Sequence, residues 1–263
     1  MQELDVAQEA ARAAGEVIRR HFHEGAIARA KESGAGTYDL VTDADLEAER
    51  TIVQVIRRHF PTDAVLGEEF HRDDVAAPRL WVIDPIDGTS NFAHGIPHFA
   101  VSIGFYEAGQ PACGVIYNPI REDWYLAERG QGAFHNGRRA KAAVSERLDQ
   151  VLVGVGFYYD RGAMMEATLA TIGDFFRQHI HGVRRFGTAS LDLCSVGDGL
   201  FGAFFEYTLS PWDFAAGALY VQEAGGTVTT ARGEPLRLEK TSLLASNGLI
   251  HQAALDVIRP HHP

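Results

Sequence analysis

Asp84 and Asp87 stand three residues apart in "WVIDPIDGTSNF" (81–92), with Gly88 and Thr89 directly after them. Two more acids follow apolar stretches, Glu68 in "AVLGEE" and Asp213 in "SPWD". Carboxylates gathered in a cleft repel one another and raise each other's pKa. Oxygen donors of this charge suit a hard divalent ion, chiefly Mg²⁺, and no Cys or His accompanies them at a zinc-like spacing. Pro85 fixes φ and biases Asp84 toward an extended conformation. The sharp turn that follows lets Asp84 and Asp87 face one point, with the Ile86 carbonyl as a further oxygen ligand. Gly88 allows a ligand close to the main chain. "TSNF" starts a short helix whose free N–H groups form an anion site. Metal ions beside a phosphate cradle make an acidic site locally cationic. Any one of these acids alone reads as a turn former or a helix cap, and Asp87–Gly88 is a common turn. The four together, with the Gly–Thr helix start, point to metal-dependent phosphate chemistry.

The elements that must position these residues are legible from periodicity. Leu4, Ala7, Ala11, Ala14, Ile18 and Phe22 give a helix over 3–22. Thr42 caps a helix over 43–59, with Asp45 in the capping-box position and Pro61 as the stop. Short strands follow: "AVLGEE", "LWVID", then strand, turn, strand in "FAVSIGFYEAGQPACGVIYNP", and "DWYLAERG". Near residue 141 the rhythm changes to alternation. "VLVGV", "GAFFEY", "TVTT" and "LLAS" read as strands; 162–179, 188–197, "PWDFAAGALYVQEAGG" and 248–258 read as helices. The pattern predicts two subdomains, 1–143 with most of the metal ligands and 144–263 with Asp213 and the substrate-selecting residues, with mixed sheets between helix layers.

Composition narrows the function. The 263 residues carry 46% apolar and 22% charged side chains and a net charge of −11, an ordinary globular make-up that disfavours direct nucleic-acid binding. Cys113 and Cys194 are expected as two buried thiols. No leader pattern and no membrane-length apolar stretch occurs, so a cytoplasmic protein is expected. Other motifs fail. "GVGFYY" (154–159) has Tyr159 where a dinucleotide fingerprint needs its third glycine. "TDADLE" has Ala48 where an EF-hand needs glycine. "PIDGT" has Pro85 where a haloacid dehalogenase phosphatase carries its nucleophile. The pairs His21/His23 and His179/His181 read as surface or helix-flanking residues.

"DLVTDAD" (39–45), "GEE" (67–69), "DPIDGTSNF" (84–92) and "PWDFAAGALYVQEAGG" (211–226) resemble, in order and over almost the whole chain, the inositol monophosphatase family. The resemblance implies an αβαβα layered fold, usually a homodimer, and Mg²⁺-dependent, Li⁺-sensitive hydrolysis of small phosphate monoesters, most often inositol 1-phosphate. It implies two to three Mg²⁺ ions: one on Glu68, Asp84 and the Ile86 carbonyl, a second on Asp84, Asp87 and Asp213, and a weaker third near Glu68. Thr89, paired with Asp45, orients the attacking water, and Glu68 joins these two as a catalytic residue. The Gly88 and Thr89 backbone holds phosphate. Asp87, Gly187, Thr188, Ala189, Glu206 and Asp213 contact substrate. Ser210 stands where some animal members carry histidine. The 31–38 loop is longer than in those members, which leaves Lys31 unmapped. Histidinol phosphate, fructose 1,6-bisphosphate and nucleotide 3′-phosphate suit the same core. The alternative from a different class is a binding module that uses this fold to contact RNA polymerase or RNA, as the resemblance to some bacterial relatives implies.

Overall fold

The computed structural model describes residues 2–25, 28–30 and 40–263; Lys31 and the 31–38 loop lie outside the described residues. Helix α1 (Glu3–Glu24) buries the stripe Val6, Ala10, Ala14 and Ile18. Strand β1 (Ala28–Ala30) pairs antiparallel with β2 (Leu40–Thr42), which runs straight into α2 (Asp43–His59). A seven-stranded sheet follows: β3 (Ala64–Gly67), β4 (Arg79–Asp87), then the short helix α3 (Thr89–Ala93), β5 (Ala100–Glu107), β6 (Gln110–Asn118), β7 (Asp123–Glu128), β8 (Gly132–His135) and β9 (Arg138–Arg139). The strands lie side by side in chain order; β3 and β4 are parallel and the other neighbours antiparallel.

The second sheet has the order β11-β10-β12-β14-β13 and comprises β10 (Leu152–Val155), β11 (Gly182–Arg184), β12 (Ala203–Leu209), β13 (Thr227–Thr229) and β14 (Thr241–Ser246). Its β10 pairs are parallel and its β14 pairs antiparallel. Around it run α4 (Ala163–Arg177), α5 (Ala189–Gly197), α6 (Pro211–Glu223) and α7 (His251–Ile258).

Alternating side chains stack these elements in five layers. On β4, Trp81 and Ile83 pack among the α1 and α2 residues, while Leu80 and Val82 join Ala215 of α6 on the opposite face. A strand covered on both faces has no polar side, which is why "LWVI" is unbroken apolar sequence. On β12, Phe205 and Tyr207 face α4 and α7, and Phe204 faces α5 and α6. The layer order is therefore α1/α2, first sheet, α5/α6, second sheet, α4/α7. A Cβ on Gly114 would lie 3.0 Å from the Ala216 Cα, so α6 rests almost on the backbone of the first sheet. That contact brings the start of α6 to the end of β4.

Cys113 and Cys194 are buried free thiols, as composition suggested. The sequence reading missed the β8–β9 hairpin. Its signal was "NG": Asn136 and Gly137 both have positive φ, 47° and 77°, the geometry a two-residue hairpin turn requires. Among the described residues no helix is long and apolar enough to cross a membrane.

Candidate active site

The site begins in the β3–β4 register. Gly67 lies opposite Ile83, so the next residues of two parallel strands, Glu68 and Asp84, emerge side by side. Pairing of β4 with β5 shifts register between Asp84 and Asp87, at Pro85, which has no N–H to give the ladder. The Ile86 N–H turns back onto Asp84 Oδ1 at 3.0 Å. Gly88 has φ 98°, and a side chain there would collide with Thr188. Asp213 arrives from α6, where Ser210 is the cap and its N–H donates to Asp213 Oδ2 at 2.6 Å. Asp87 sits under the start of α5 and accepts the N–H groups of Ala189 (3.3 Å) and Ser190 (2.6 Å). Those donors would otherwise lack partners at the helix start.

Glu68, Asp84, Asp87 and Asp213 all line one cavity of about 480 Å³. Burial, then the charge of Glu68, pushes Asp84 and Asp213 well above the usual carboxylate range. Burial raises Asp87 to about 6 against the opposing hydrogen bonds from Ser190. Among the described residues no three His, Cys, Asp or Glu side chains already close round one point as a finished cage. Converging carboxylates without a cation repel each other, and a divalent ion would supply the missing positive charge. The donor set, all oxygen and all acidic, fits Mg²⁺.

At the floor, Thr89 Oγ1 lies 3.2 Å from Asp45 Oδ1 and 3.1 Å from the Ile86 carbonyl. Asp45 is the capping-box acid of α2, with Oδ2 accepting the Thr42 N–H at 2.8 Å. Its burial raises its pKa to about 7, opposed by the Thr42 hydrogen bond.

The opposite wall is carried by the second sheet. Glu206 alternates with Phe205 and Tyr207 on β12, so it points to the α5/α6 side and into the cavity. Burial raises it to about 8, with Arg185 opposing. A Cβ on Gly156 would strike the Glu206 carboxylate. The glycine of "GVGFYY" therefore makes room for an acid rather than a pyrophosphate. Asp192, 1% exposed on α5, also lines the cavity; its Oδ1 has no hydrogen-bond partner and its pKa is pushed well up by burial and then Asp87. Lys240 and Tyr158 meet at the rim.

Residues 1–262 match the profile of the inositol monophosphatase family. The chain belongs to that family. It is 42% identical to the Nus factor SuhB of Pseudomonas aeruginosa over 99% of this chain and 97% of the relative. It is 37% identical to the inositol-1-monophosphatase of Rhizobium meliloti, covering 97% and 96%. A third relative, the fructose-1,6-bisphosphatase/inositol-1-monophosphatase of Thermotoga maritima, is 35% identical over 98% and 96%. Among solved structures, the Thermotoga maritima IMPase superposes with a TM-score of 0.89 at 33% identity, covering 99% of this chain and 98% of that one. The inositol monophosphate-bound SaIMPase-II does so at 0.82 and 30%, covering 98% and 95%. Family and fold support a phosphatase.

In this inositol monophosphatase family member, Glu68, Asp84, Ile86, Asp87, Gly88, Thr89, Gly187, Thr188, Ala189, Glu206 and Asp213 all border the one cavity. Asp45 reaches it through Thr89. The Ala189 N–H, expected near substrate, is engaged by Asp87. Two buried acids beside the site escaped the sequence reading. Glu49 lies on the buried stripe of α2 with Asp45, Ala48 and Ile52. Asp192 lies in a helix turn whose neighbours are all buried. A charge on an apolar stripe was the available signal in both cases.

Proposed function

We propose that the protein hydrolyses inositol 1-phosphate to inositol and phosphate with metal-activated water. The reading is carried by one observation: Glu68, Asp84, Asp87 and Asp213 border the same cavity as Thr89 and Glu206. Two to three Mg²⁺ ions, held by those four acids and the Ile86 carbonyl, would lower the pKa of the attacking water and neutralise the leaving oxygen. Thr89, with its proton directed to Asp45, offers lone pairs to that water. Asp45, raised to about 7, is poised to take a proton near neutral pH. The Gly88 and Thr89 backbone receives the phosphate. Bound cations would bring Glu206 down from about 8 to its carboxylate form, which accepts hydrogen bonds from ring hydroxyls, with Gly187, Thr188 and Ala189 forming the adjoining wall. Family membership supports a cytoplasmic, Li⁺-sensitive homodimer, and the net charge of −11 supports a protein that does not bind nucleic acid directly. We assign the first sheet to a subdomain of residues 1–143 and the second to 144–263.

The test compares kcat/KM for inositol 1-phosphate, histidinol phosphate, fructose 1,6-bisphosphate, a nucleoside 3′-phosphate and p-nitrophenyl phosphate, with Mg²⁺, in wild type and Glu206→Gln. The variant should lose about tenfold to a hundredfold on inositol 1-phosphate, the worth of a hydrogen bond to a charged group, and little on the aryl ester. Equal loss on all substrates makes Glu206 structural. A tenfold preference of wild type for another ester replaces inositol phosphate as the substrate; the Thermotoga relative's double name favours fructose 1,6-bisphosphate as runner-up. The name Nus factor on the Pseudomonas relative favours a second role on the transcription machinery, which a pulldown of RNA polymerase beside the assay would reveal.

A further inference from the structure

Helix α2 buries two acids one turn apart, Asp45 and Glu49, and only Asp45 has a role in the proposed reaction. The second, Glu49, is 0% exposed. Its carboxylate accepts three consecutive backbone N–H groups, those of Glu69 (2.7 Å), Phe70 (2.9 Å) and His71 (3.0 Å), and lies 2.8 Å from His71 Nδ1. A Cβ on Gly67 would come within 2.8 Å of it, so the carboxylate lies directly against the end of β3. Arg50, the next residue, lies over the Phe70 ring at 4.9 Å. All these contacts converge on the turn that leaves β3 through Glu68, where the ladder to β4 has ended.

We propose that Glu49 is a positioning residue that sets Glu68 for divalent-cation binding, so that α2 acts as one rigid bracket for both Thr89 and Glu68. The physical reason is conformational. A glutamate beyond the end of a strand has many rotamers and a mobile backbone, and ordering both at the moment of binding weakens affinity. Three N–H groups fixed on one buried carboxylate remove the backbone part of that freedom in advance. Partners that orient metal ligands typically change metal affinity by roughly 10–100-fold when removed. The inference rests on the reading of Glu68 as a ligand.

The experiment is Mg²⁺ binding to the full-length protein by titration calorimetry in wild type, Glu49→Gln and Asp84→Asn, with steady-state kinetics on p-nitrophenyl phosphate beside it. Glu49→Gln should raise the Mg²⁺ Kd about tenfold or more, while KM for the ester at saturating Mg²⁺ stays close to wild type. An anchor that served stability alone would lower Tm and leave the Kd unchanged, and that result overturns the proposal. Asp84→Asn separates the two levels. Loss of Mg²⁺ binding there, with none in Glu49→Gln, keeps the metal reading and rejects the role of Glu49; no loss in either rejects both. If Glu49→Gln does not fold, Glu49→Asp decides, because it keeps the buried charge and draws the carboxylate back from the three N–H groups. A weaker Mg²⁺ affinity in that variant supports the proposal, and an unchanged one overturns it.

Discussion

Helices α2 and α6 begin alike and serve the cavity differently. Each opens on a hydroxyl residue followed three positions later by an aspartate, and in each the aspartate's Oδ2 accepts the cap N–H, at 2.8 Å for Thr42–Asp45 and 2.6 Å for Ser210–Asp213. The other oxygen has a different fate. In Asp45 it meets the Thr89 hydroxyl, a neutral donor, and the pair is complete within the protein. Asp213 looks toward Glu68 and Asp87, and these like charges hold its pKa up beyond what burial does. One capping box therefore finishes as a hydrogen bond to a neutral hydroxyl, the other in a cluster of like charges, the set proposed above to hold Mg²⁺.

Removing the charge at α6 should have the largest effect. Asp213→Asn keeps the cap geometry and deletes one negative charge. A metal clamp is worth several kcal/mol of transition-state stabilisation, so kcat/KM should fall by roughly 10³-fold. The metal-free protein should melt no earlier than wild type, since a repulsion is relieved. Near-normal turnover in a folded Asp213→Asn protein would show that the two helix starts are equivalent after all.

At α2 the expected loss is smaller and of a different kind. Thr89→Ala removes the hydroxyl that Asp45 orients and leaves every acid in place. Loss of a group assisting proton transfer costs about 10²–10⁴-fold, here toward about 10²-fold because Asp45 stays in place, and in kcat, with KM and Mg²⁺ affinity little changed. A large rise in KM at constant kcat would mean that Thr89 binds substrate instead.

The smallest effect is thermodynamic and depends on pH. Asp87 is raised from 3.8 to about 6, and Asp84 and Asp213 are likewise raised well above the usual carboxylate range. Across that window the folded metal-free protein retains protons that the unfolded chain has released, so its stability falls as pH rises from about 4 through the folded pKa values. Mg²⁺ binds the ionised acids and should therefore raise Tm by more at pH 8 than at pH 5. Scanning fluorimetry with and without Mg²⁺ measures this difference; a pH-independent shift would mean that the acids do not form the cation site.

Much of this architecture was legible beforehand because it depends on near neighbours. The 43–59 helix was read residue for residue as α2, because Thr42, Asp45 and Pro61 mark its ends. The start of α6 followed from Pro211, which sits in its first turn. The β8–β9 hairpin was missed although "NG" announced it, since its strands are only four and two residues long and carry little alternation to count.

The sequence by itself determined the caps, the apolar faces and the break at Pro85, because each is decided by steric or hydrogen-bonding forces acting over a few residues. Tertiary structure alone decided which acids meet. Asp87 is held by donors more than 100 positions away in the chain. Gly156 is a glycine because Glu206 fills the space its side chain would take. Glu49 gained its partners only when the fold laid the Glu69–His71 turn across it. A carboxylate's partners are set by strand register and layer packing, which one chain position does not encode, and those partners decide whether it ends on backbone N–H groups, on a hydroxyl or beside other acids.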